Sequence, residues 1–162
     1  MQETKQNSDL YEIFIKLSKS TLSKNKKKQI LRSLFIGEEW SWVVTGISKK
    51  SVISFRNDNF KKLPSLYQRH HFKSFDTTAN ELLAEGNLTF NRWSKIIEKG
   101  EKTHIVTKSE HDAKIAYDYF SCPPEKGLFQ NLSRSFRYTE NEKKFLSSID
   151  LKSKPFFQEF SV

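Results

Sequence analysis

The chain has one cysteine, one methionine, four prolines and five glycines among 162 residues. Cys122 has no internal partner, so disulfides cannot hold this fold, and no grouped cysteines suggest a zinc site. With so little glycine, neither a Gly-x-Gly-x-x-Gly run nor a Walker-type phosphate loop is present. The Gly-x-Ser-x-Gly elbow and the His-Glu-x-x-His helix are missing too, which removes the commonest hydrolase signatures. No apolar run approaches the roughly 20 residues that a membrane-crossing helix needs. Acidic residues fall short as well: 19 stand against 28 Lys and Arg, for a net charge of +9 and a pI near 9.6.

What is abundant is aromatic. Fourteen Phe, five Tyr and three Trp describe a folded chain rather than a disordered one. A length of 162 residues fits one domain, 1–162, with the polar residues 1–7 outside its folded body. The polar N-terminal residues show no leader pattern, and the lone thiol suits a reducing compartment, so a soluble cytoplasmic protein is expected.

The positive balance produces a field that gathers polyanions. Nucleic acid, DNA ahead of RNA, is the expected partner, bound through a basic surface and without membrane attachment. Lys26, Lys27 and Lys28 form the densest charge cluster, suited to phosphate contacts that give affinity without sequence choice. Lys49, Lys50, Arg56 and Arg69 add to it. Arg134 and Arg137 flank Phe136 beside Tyr138, the basic-aromatic alternation used on single strands. Two alternatives stand beside this reading: a metal-dependent nuclease, and a protein-binding regulator or inhibitor from a mobile element, with a second copy of the chain as a further partner.

Residues 40–56 admit two structures. Trp40 to Ile47 and Ser51 to Arg56 are rich in Trp, Val, Ile and Phe and read as a β-hairpin turning at Ser48-Lys49-Lys50. Alternatively, Gly46-Ile47-Ser48 is the turn of a helix-turn-helix and Lys49 to Phe60 its recognition helix. Elsewhere the spacing is helical: Leu10 to Leu17 behind Ser8, Ile30 to Phe35, Leu82-Leu83 behind Thr77-Thr78, and Phe90 to Ile97 between Thr89 and Gly100. Thr103 to Thr107 reads as a strand. The capping boxes Thr107-Lys108-Ser109-Glu110 and Thr139-Glu140-Asn141-Glu142 open two more helices, the first expected to run through Phe120. Leu128, Phe129, Leu132 and Phe136 also repeat at helical spacing, and the tail at Phe156-Phe157 is apolar enough to dock. The fold class is therefore α+β, mostly helical, with a small antiparallel sheet or hairpin around residues 40–56.

His70 and His71 are adjacent on an extended segment, and His111 stands in the first turn of a helix that follows the strand at Ile105-Val106. This arrangement resembles the ββα-metal nucleases of the His-Asn-His type. The resemblance covers two fragments and departs at Lys102 or Thr103, where the middle Asn would stand. It implies His71 as general base for a water, with His70 and His111 holding a divalent ion against the scissile phosphate. Outside that reading the chain is expected to be no enzyme and to need no cofactor.

Overall fold

The computed structural model describes residues 4–36, 38, 40–57, 67–71, 73–85, 87–113, 116–129 and 139–158, with 67–71, 113, 125 and 158 as backbone only. In chain order its elements are α1 (Lys5–Lys19), α2 (Lys24–Phe35), β1 (Val43–Ser48), α3 (Lys49–Asn57), β2 (Tyr67–His71), α4 (Phe75–Ala84), α5 (Phe90–Gly100), β3 (Lys102–Thr107), α6 (Lys108–Ala113), β4 (Tyr117–Ser121), α7 (Glu140–Ser148) and β5 (Phe156–Gln158). This is an α+β chain, mostly helical with a small sheet, as the hydrophobic spacing indicates. Two compact units share it: Met1–Ser41 with Lys73–Glu101, and Trp42–Phe72 with Lys102–Val162.

The first unit holds α1, α2, α4 and α5. Each starts behind a hydroxyl side chain that accepts a backbone N–H freed by the helix end: Thr4, Ser23, Ser74 and Thr89. Ser8, the expected first cap, lies inside α1, which begins a turn earlier behind Thr4. The apolar faces meet around Trp93, fully buried among Phe14, Leu31, Leu82 and Ile97. Rings from Tyr11, Phe14 and Phe90 surround its indole at centroid distances of 5.6, 6.3 and 5.7 Å.

The second unit is a five-stranded sheet in the order β2-β3-β1-β4-β5. Only β1 and β3 run parallel, while β3 with β2, β1 with β4 and β4 with β5 are antiparallel. Ile47, Ile105 and Phe120 belong to one buried cluster with Val52 and Phe55 of α3 and Leu146 of α7. Neighbouring residues on a strand face opposite sides. Gly46 and His104, in register, therefore lie away from that core, and Tyr119 closes over the imidazole at 4.2 Å between ring centroids. Arg56 at the end of α3 donates to the carbonyls of Leu146, Ser147 and Ile149, serving as the C-terminal cap that α7 lacks in its own last turn.

Two expectations are corrected here. Residues 40–56 form neither a hairpin nor a helix-turn-helix: β1 runs straight into helix α3. Ser51, Val52 and Phe55 are buried at helical spacing, and Ser48 accepts the N–H of Ser51 at 3.1 Å, so the expected second strand is capped as a helix. The partners of β1 come instead from 102–107 and 117–121, which makes the sheet mixed rather than antiparallel. The helix behind Thr107 ends at Ala113, and Tyr117–Ser121 is a strand, its Tyr and Phe alternating across the sheet. The helical spacing from Leu132 to Phe136 lies outside the described residues. Among the described residues, no helix is long and apolar enough to cross a membrane.

Gly46 tests the packing of the sheet. A Cβ there would overlap the His104 imidazole and the Tyr119 ring. Gly46→Ala is expected to destabilise the fold by about 1–3 kcal/mol through overpacking, read as a lower urea midpoint at unchanged m-value. An unchanged midpoint would mean that the two rings have room to move.

Candidate nucleic-acid interface

Because β1 and β3 are parallel neighbours, the helices that follow them start from the same end of the sheet, at the C-terminal ends of the two strands. One carboxylate joins the two starts. Glu110, 1 % exposed, accepts at Oε2 from the Ser48 hydroxyl (2.7 Å), the Thr107 N–H (2.9 Å) and the Thr107 hydroxyl (2.9 Å). Its own N–H is taken by Thr107 Oγ1 at 3.2 Å, completing the capping box that the sequence spells out. Ser48 is buried, lies 2.9 Å from Ser51 Oγ and is the cap of α3. Lys49 and Lys50 follow Ser48, and Lys108 follows Thr107, so three lysines stand within two residues of the shared carboxylate's partners. Lys50 and Lys108 are exposed and Lys49 half-buried. Lys108 was passed over in the sequence because it sits inside the capping box.

The charge is unevenly divided. The second unit has sixteen Lys and Arg against nine Asp and Glu, a net of +7, whereas the first has twelve against ten, a net of +2. The second unit is the longer, 92 residues to 70, but its net charge per residue is still more than twice that of the first, so the excess positive charge belongs to the sheet-bearing one.

The expected contact residues separate accordingly. Lys26, Lys27 and Lys28 open α2 in the first unit, at the helix end where the backbone dipole disfavours cations. Two of them have structural uses: Lys27 Nζ donates to the Ser18 carbonyl in the last turn of α1 at 2.7 Å, and Lys28 pairs with Asp76 at 3.4 Å. Lys26 is exposed. Arg56, in the second unit, is engaged by the three α7 carbonyls rather than held toward solvent. Arg69 lies in β2 opposite Ile105, described as backbone only. Arg134, Arg137 and Tyr138 lie outside the described residues.

The histidines fall as follows. His70 and His71 are in β2, in register with His104 and Thr103 of β3, again as backbone only. His111 is in α6, with Nδ1 3.3 Å from Asp112 Oδ1. The described residues contain no group of three or more His, Cys, Asp or Glu arranged to hold a metal. His104, which sequence reading did not single out, is the buried one: at 1 % exposure its Nδ1 lies 3.1 Å from the Tyr117 hydroxyl. Burial, with the Glu110 carboxylate and Tyr119 pushing the same way, holds the Tyr117 phenol well above its usual range, so it stays protonated at neutral pH. Alternation along β3 marks Ile105 as core-facing and His104 as outward, and the rings that bury His104, Tyr117 and Tyr119, come from a later strand, so nothing local marks it as buried.

Compared with protein families, with characterised proteins and with solved structures, the chain matches none.

Removing the shared carboxylate should unlock both helix starts. Glu110→Ala leaves the Thr107 N–H, the buried Ser48 hydroxyl and the half-buried Thr107 hydroxyl without their carboxylate acceptor, and a loss of about 2–4 kcal/mol is expected. Glu110→Gln keeps an acceptor oxygen and should cost less than half as much. Chemical denaturation checks both, and equal losses would show that the charge rather than the hydrogen bonding holds the junction.

Proposed function

We propose that this chain binds nucleic acid, DNA ahead of RNA, through the basic surface of its second unit, as a small cytoplasmic regulator that acts by occupying its partner. The observation that carries the reading is the concentration of charge: seven of the nine net positive charges belong to the unit whose parallel strands deliver two helix starts and three lysines to one end of the sheet. Lysines at the C-terminal ends of neighbouring strands contact phosphates as point charges, releasing condensed counterions and giving affinity with little sequence preference.

If Lys49, Lys50 and Lys108 each engage one phosphate, a fourfold rise in salt weakens duplex binding by about 40-fold. Neutralising each lysine to Gln should lower the logarithmic salt slope by roughly one. Fluorescence anisotropy with labelled duplex DNA, single-stranded DNA and RNA measures both quantities. Absence of binding to all three at low ionic strength would sink the proposal.

The nuclease reading keeps one supporting observation. β2 and β3 pair antiparallel and α6 follows β3, the strand-strand-helix order of the ββα-metal enzymes, although α4 and α5 intervene between the strands. Incubation with plasmid and with RNA in Mg²⁺, Mn²⁺ or Zn²⁺ tests it. Cleavage that requires metal and is lost in His71→Ala would replace the binding reading with this one.

A further inference from the structure

The edge of the sheet opposite β2 carries a feature that charge alone does not explain. β5 pairs with β4 so that Phe156 is in register with Tyr119 and Phe157 with Asp118. Phe156 is 59 % and Phe157 65 % exposed. Phe156 continues a row of rings across the sheet: His104 to Tyr119 at 4.2 Å between centroids, then Tyr119 to Phe156 at 5.5 Å and 31°. The first member is buried, the second half-buried, and among the described residues the row ends on an open ring. Lys152 and Lys154, both exposed, precede it.

We propose that Phe156 is a stacking platform for a base of single-stranded nucleic acid, with Lys152 and Lys154 meeting the flanking phosphates. The assignment rests on the nucleic-acid reading and names the form of the ligand at this edge. A duplex hides its base faces, so an open ring with two exposed lysines just before it in the chain matches unpaired bases, each of which has a π-face to offer. Charge complementarity selects this occupant over another protein strand. β5 is only three residues long and is preceded by Lys154 and by Pro155, which has no N–H, the devices that discourage strand addition at a sheet edge. Phe157, next along the strand, faces the other side and lies opposite the exposed carboxylate of Asp118, an unfavourable neighbour for phosphate.

The test is anisotropy titration of the full chain with labelled dT and rU oligonucleotides and a matched duplex, each at several salt concentrations. Phe156→Ala is expected to weaken single-strand binding about 5- to 150-fold with the salt slope unchanged, and duplex binding hardly at all. Phe156→Trp should restore it, which a merely structural loss would not allow, and Phe157→Ala should change it less than about twofold. Neutralising Lys152 and Lys154 together should lower the single-strand salt slope by about 1.4. If the wild type binds and Phe156→Ala binds single strands equally well, the platform is refuted while the nucleic-acid reading stands. If the wild type binds no nucleic acid, both fall together. Concentration-dependent dimers in sedimentation that Phe156→Ala abolishes and oligonucleotide leaves intact would make this edge a self-contact and overturn the assignment.

Discussion

Glu110 is a carboxylate held out of water, and everything around the centre of the sheet is arranged so that it can be. An ion in that position costs several kcal/mol in lost hydration unless donors replace the water. Here they come from two places far apart in sequence, Thr107 beside it and Ser48 at the end of β1. Each donor is also a helix cap. The same hydrogen bonds that offset the burial of the charge therefore start α3 and α6 and hold the parallel strands β1 and β3 in register. An apolar residue at position 110 would need no such compensation, but it would leave the Thr107 N–H and two hydroxyls without acceptors.

This constraint decides where the lysines go. Once Ser48 and Thr107 are turned inward, the residues that follow them begin helices at the C-terminal ends of β1 and β3, and in this chain those residues are Lys49, Lys50 and Lys108. Other basic residues are drawn into the structure itself. Arg56 closes α7 and Lys27 caps α1, each meeting last-turn carbonyls that would otherwise depend on water. A guanidinium bound to three carbonyls is unavailable for phosphate, so counting basic residues along the chain overstates the surface available to a polyanion. The division of charge between units is a better guide than the density of any one cluster, since the densest, at Lys26 to Lys28, belongs to the nearly balanced unit.

Much was legible from local chemistry. The cap at Thr89, the amphipathic run around Trp93, the strand at Thr103 to Thr107 and both capping boxes are written in short local spacings. A helix start needs only the side chain before it and the N–H groups just after it. Short apolar runs were less readable. Ser51 to Arg56 fits a strand or a helix equally well by composition, and Tyr117 to Ser121 was joined to the preceding helix because nothing local ends that helix before Pro123. In both places the decision belonged to pairing: β1 has β3 and β4 on its two sides, leaving no vacancy for a strand from 51–56 and requiring one from 117–121.

The sequence by itself determined the class of fold, the helix starts and the sign of the surface charge, because these depend on composition and on neighbours within a turn. Only the tertiary structure decided that Glu110 answers Ser48 across 62 positions, that Gly46 makes room for His104, that Arg56 is consumed by a helix end, and that Phe156 is left open at the end of a row of rings. These follow from which strands lie side by side. That choice is made by the summed burial of Ile47, Ile105, Phe120 and the helices over them, and no window of adjacent residues contains it.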